Sequence, residues 1–236
     1  MKLLLIKIGK AWHTLRREGL FRGGRRVLVA ASALFRRVQP GDILFISGGV
    51  GDSARYRCEH VAEEFTLRGY RTSVTVQDNP FLLSYAERFS VFVFHRVLYT
   101  GQAKALFERL KELGKEIIFE TDDLVYDPQF LVHMDYFRQM NGLERKLYEQ
   151  GVGGEMLADP YVKVATTTTG FLADKLRALG KRVFIVPNKL SQSDVALADA
   201  AWQCKVPGRE GIVRVGYLSG TPSHNKDFAT ITDALI

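Results

Sequence analysis

Two carboxylates stand side by side at Asp122-Asp123, directly after a short apolar run at residues 116–121. Adjacent acids can hold a cation, or orient or deprotonate a hydroxyl. They can also divide the work, one facing a ligand while the other caps the next turn. A single pair without further ligands gives a metal little support. His95-Arg96 closes a second apolar run, residues 90–94, and places a base and a cation where a polar ligand could be met. A lone histidine in such a place is more often structural than catalytic.

Glycine marks a third position. The segment Gly48-Gly49-Val50-Gly51-Asp52-Ser53-Ala54 follows the run at 42–47 and satisfies the G-x-G-x-x-A dinucleotide pattern, with Asp78 placed for a ribose. Asp52 inside the loop would repel a pyrophosphate, however, and Arg55 and Arg57 follow on the helix. The glycines therefore argue for a close backbone approach by a ligand or a neighbouring domain more than for a nicotinamide. A fourth constellation lies at the end of the chain. A strand-like run at 212–218 leads into Ser219-Gly220-Thr221, and Lys226 then opens a helix. Backbone N–H groups and a helix dipole with a lysine beside them form a phosphate grip. The same residues also suit an ordinary strand-to-helix turn.

The elements that must position these residues alternate. Strands are expected at 42–47, 71–77, 90–94, 116–121, 162–166 and 182–186. Helices are expected at 53–68, 102–113, about 133–150 and from the threonines 167–169 to Leu179. Short apolar strands separated by helices predict an α/β fold with a doubly wound parallel sheet, whose ligands sit at the carboxyl ends of the strands. The expected organisation is an arm at 1–39, an α/β domain at 40–189, a linker or helix at 190–211, and the start of a second domain at 212–236. A complete second domain would need roughly 100 further residues, so the chain as given is expected to be inactive alone.

Charge is unevenly spread. The chain has 33 basic and 26 acidic residues, yet residues 1–40 hold ten basic residues against Glu18 alone. The rest is close to neutral, and nothing in it suggests a nucleic-acid stripe. The arm reads as two amphipathic helices separated by Gly23-Gly24. Leu4, Ile8, Ala11, Trp12 and Leu15 form one apolar stripe, and Val27, Ala31, Leu34, Phe35 and Val38 form the other. Residues 1–38 thus suit an anionic membrane surface, or the stripes pack on the globule and leave the arginines solvated. Cys58 and Cys204 lack metal-type spacing. They fit a cytoplasmic protein, peripheral on the inner face of the plasma membrane if the arm binds lipid.

Taken in order, these pieces resemble a family. The glycine-rich loop, the helix Glu59-His60-Val61-Ala62-Glu63-Glu64-Phe65 running to Arg68-Gly69-Tyr70, the Val164-Ala165-Thr166 strand and the Val186-Pro187-Asn188 end are similar to family 4 glycosyltransferases of the GT-B fold. The Gly-Asp-Ser-Ala-Arg-Tyr-Arg and Ser-Gly-Thr-Pro-Ser-His-Asn-Lys-Asp-Phe blocks resemble a bacterial surface-polysaccharide subgroup. The resemblance covers residues 41–236. It implies two Rossmann-like domains, the second truncated here, and transfer of a sugar from a nucleotide-sugar donor to a glycan or lipid-linked acceptor in polysaccharide biosynthesis. It implies no cofactor beyond that substrate, and no metal. Gly220 and Lys226 stand at the family's Gly and Lys spacing, but Thr221 replaces its arginine and Asp227 its second glycine. At the end of the strand expected at 116–121 the family often has His-Asp near the acceptor, and Asp122 takes the histidine position.

The resemblance therefore implies Asp122 as the catalytic group. Gly49, Gly51, Asp52, Ser53, Ser219, Gly220, Thr221 and Lys226 would lie against the donor phosphates. His95, Arg96, Asp123 and Arg55 would lie on the acceptor side. Two other classes stay open: an NAD(P)-dependent oxidoreductase, on the glycine pattern and Asp78, and a non-catalytic membrane- or acceptor-binding module.

Overall fold

The computed structural model describes residues 2–35, 37–133 and 151–204, with the single residues 142, 145, 216 and 232. The helix expected at about 133–150 and the expected donor-domain residues, Ser219, Gly220, Thr221 and Lys226 among them, lie outside these.

Six strands alternate with helices, as the short apolar runs require: β1 Ile43–Ser47, β2 Thr72–Val76, β3 Val91–His95, β4 Glu116–Glu120, β5 Val164–Thr167 and β6 Arg182–Ile185. They form one all-parallel sheet in the order β2-β1-β3-β4-β5-β6. This is the Rossmann-like doubly wound α/β arrangement. The chain steps outward from β1 to β2, then crosses back over β1 to reach β3. The strand order therefore reverses between β1 and β3, and the crevice at their carboxyl ends is where such sheets bind ligands.

Side-chain alternation explains the two packing layers. Leu44 and Ile46 of β1, Phe92 and Phe94 of β3, and Ile117 and Phe119 of β4 face one side. There they meet Leu106, Phe107 and Leu110 of α3 (Gly101–Glu112), Met156 and Leu157 of α4 (Gly154–Ala158), and Leu176 of α5 (Gly170–Ala178). Ile43, Phe45 and Val93 face the other side, with Cys58 and Ala62 packed over them. Those two belong to α2, which begins at Asp52–Ala54, passes a π-helical turn at Arg55–Glu59 and continues through His60–Leu67. Cys58 is fully buried, whereas Cys204, which ends α6 (Gln192–Gln203), is exposed.

The arm differs from its sequence reading. Two helices follow one another within α1 (Lys2–Leu34), as expected, but the break between them falls at Gly19, with φ 75° and ψ 171°, instead of at Gly23-Gly24. Gly23 is helical and buried and does not punctuate the helix. The second stripe is also split. Val27 and Leu34 are half-buried, Val38 joins the core, and Ala31 and Phe35 stay exposed. No helix among the described residues is long and apolar enough to cross a membrane.

Candidate functional site

The crevice between β1 and β3 gathers side chains from three strand ends. Ser53, in the first turn of α2, lies 2.9 Å from His95 Nε2 and donates to Asp122 Oδ2 at 2.8 Å. Its only proton goes to the carboxylate, so towards His95 its oxygen can only accept. Nε2 of His95 therefore carries the ring proton. Nδ1 is then bare; it is buried with no hydrogen-bond partner, 4.0 Å from Glu120 Oε1. Burial is the largest influence on His95. Asp122 opposes it and Arg96 and Arg57 reinforce it, and the imidazole is pushed down to about 4. It is neutral at physiological pH.

Arg96 bridges the acid pair. Its Nε stands 2.6 Å from Asp122 Oδ1 as a close ion pair, although the N–H is not aligned for a hydrogen bond. Its Nη2 donates to Asp123 Oδ2 at 3.3 Å. Arg96 has φ 48°, the left-handed region, and is the one non-glycine residue there among the described residues. Strain of this kind costs on the order of 1–3 kcal/mol and collects at functional sites. Burial raises the Asp122 carboxyl, but Arg96, His95 and the Ser53 bond outweigh it and hold the group below its ordinary value. Asp122 is thus ionised at neutral pH. The two acids divide their work: Asp123 accepts from the Leu124 N–H at 2.7 Å and caps the turn, while Asp122 faces the cluster. No group of three metal-ligand side chains gathers among the described residues.

The glycine loop serves two purposes. A Cβ at Gly48 would stand 1.8 Å from the Arg96 carbonyl oxygen, so this glycine admits the chain's own β3 loop. Gln77 secures that contact, donating to Gly48 O and accepting from the Leu98 N–H, each at 2.8 Å. At Gly49 and Gly51 an added Cβ would meet nothing within 4 Å, and Gly51 has φ 140°. Backbone there is open to an approaching group.

Of the expected residues, Ser53, His95, Arg96, Asp122 and Asp123 are brought together, with Gly49, Gly51 and Asp52 on the adjoining loop. Arg55 is not among them. It turns to the segment beyond β6, donating to Asp194 at 2.6 Å and to His60 Nε2 at 3.2 Å. His60 in turn meets the Lys189 carbonyl through Nδ1 at 2.9 Å.

A buried ion pair beneath the cluster was not anticipated. Arg57 donates twice to Glu120, at 2.8 and 3.0 Å, and also to Val186 O at 2.5 Å and Asn188 Oδ1 at 3.1 Å. Thr166 donates to the same carboxylate. Burial pushes the Glu120 carboxyl up, and Arg57 and Thr166 oppose it. One signal could have found the pair. Arg57, Val61 and Phe65 recur at four-residue spacing, which places an arginine on the stripe of α2 that faces the sheet. Such a charge needs a buried partner.

No family model and no curated protein matches the chain.

Proposed function

We propose that the chain carries the acceptor-side domain of a GT-B-type glycosyltransferase, which moves a sugar from a nucleotide-sugar donor to a glycan or lipid-linked acceptor. The supporting observation is the meeting of Ser53, His95, Arg96 and Asp122 where the strand order reverses, beside the open backbone of Gly49 and Gly51.

On this reading an acceptor hydroxyl binds at Asp122 Oδ2, replacing or joining the Ser53 hydroxyl. The carboxylate, held ionised, orients the nucleophile and takes its proton as the glycosidic bond forms. Arg96 fixes the carboxylate, and neutral His95 holds Ser53. Asp52 disfavours phosphate at its own side chain, so donor contact falls on the N–H groups of Gly49 and Gly51. By the family spacing, Lys226 and the backbone of Ser219, Gly220 and Thr221 would meet the leaving diphosphate.

Calorimetry with UDP, GDP and NAD tests the class. Binding of a nucleoside diphosphate is expected, and it should survive a chelator. Binding of NAD alone would replace this reading with a dehydrogenase, and binding of none of the three with a non-catalytic module.

A further inference from the structure

The apolar arc of the arm is wider than the fold uses. At 3.6 residues per turn, positions 20, 21, 24, 28, 31 and 35 fall on one side of the helix, next to 23, 27 and 34. The second set turns inward: Gly23 is buried, and Val27 and Leu34 are half-buried. In the first set Gly24 is half-buried and the other five are exposed. Leu20 is 82% exposed, Phe21 96%, Leu28 71% and Phe35 66%. Single exposed apolar residues are ordinary, but a contiguous row of large ones marks a surface that meets something apolar. Arg22 and Arg25 are exposed along the far edge of this row. Before the break at Gly19, Trp12 is 68% exposed with exposed Arg16 one turn on.

We propose that this outward row is an interfacial membrane anchor, seated in the headgroup layer of an anionic phospholipid surface. Leu20, Phe21, Leu28 and Phe35 would enter the acyl boundary, with the arginines on lipid phosphates. Charge chooses the occupant. Ten basic residues against one acid in residues 1–40 repel a second copy of the same arm and attract an anionic bilayer. Helix α1 also touches β2, so the outward row is left to the anchor.

Sedimentation with phosphatidylglycerol-containing vesicles, and with pure phosphatidylcholine vesicles, tests the anchor without needing turnover. The 236-residue chain should bind the anionic vesicles, release in high salt and leave the neutral ones unbound. Arg22→Gln and Arg25→Gln should each weaken partitioning about fivefold. Phe21→Asp with Leu28→Asp should abolish it at an unchanged melting temperature, because both side chains are exposed. Undiminished binding by that double variant would overturn the proposal, as would equal binding to neutral vesicles. So would a dimer that the same substitutions dissolve in a chain that binds no vesicles, because the row would then be a contact between copies.

Discussion

Asp122 is the residue on which the transfer reading depends. Asp122→Asn keeps the shape and leaves Ser53 an oxygen to donate to, but removes the charge that faces Arg96. On the proposed reading, sugar transfer should fall about 10²–10⁴-fold. Stability should fall by about 1–3 kcal/mol for the arginine left without its ion pair. A transfer assay beside a urea melt checks both, and near-normal transfer would remove Asp122 from the mechanism. His95 makes a separate pH prediction. Its folded pKa, about 4, lies below the ordinary value of 6.5. Between those values the unfolded chain binds the proton and the native one does not. Its contribution is therefore whole above pH 6.5 and is lost as pH falls towards 4, up to about 3 kcal/mol. His95→Gln keeps a donor for Ser53 and should flatten the melting temperature between pH 6.5 and 4. At Arg57, Arg57→Met should cost about 3–5 kcal/mol, the charge of Glu120 being left buried alone, and adding Glu120→Leu should recover much of it. Asp122, His95 and Ser53 were legible from sequence because each stands where a strand ends or a helix begins. The pairing of Arg57 with Glu120 was not legible. Its partners are 63 residues apart and meet only once α2 lies on the sheet.

Among the elements, the loop after β1 separates two kinds of glycine. Gly48→Ala would force the new Cβ onto the Arg96 carbonyl. It should cost about 1–3 kcal/mol and disturb Arg96 and the carboxylates it holds. Gly49→Ala meets open space, so it should leave the melting temperature almost unchanged while weakening any nucleotide that lies on that backbone. A melting curve and a calorimetric titration of each variant separate these outcomes; equal destabilisation would mean that Gly49 is structural too. The sequence pattern treated these glycines alike, because composition records that a Cβ is unwelcome and not what would strike it. The strands were readable to within a residue or two, since each is a short run rich in β-branched or apolar residues that ends near turn residues. The π-helical turn at Arg55–Glu59 left no such trace. Nor did the arm's break at Gly19: Gly23-Gly24 reads as a stop, yet both residues are helical.

In the whole molecule, the two faces of the sheet are covered unequally. Among the described residues, α3, α4 and α5 lie on one face, and α2 alone supplies the buried helical residues of the cluster on the other. This asymmetry follows from the strand order, since every crossover after β2 runs in one direction and right-handed connections then share a side. The alternation of strands and helices announced the doubly wound sheet, but the position of the reversal depends on which strands pair, and that is a tertiary fact. Cys58 gives the α2 layer a chemical clock. Burial, followed by the negative charge of Glu120, pushes its thiol well up, so it stays protonated and unreactive while α2 is seated. Cys204 is exposed. A thiol-specific reagent should therefore label one equivalent at once, a phase that Cys204→Ser removes, and the second only as fast as the helix lifts. The slow rate would read out the free energy of that opening; two equally fast equivalents would mean that α2 does not guard its face. On the proposed reading, a nucleotide held against α2 should slow the clock, and Cys58 would then report its binding with no dye attached.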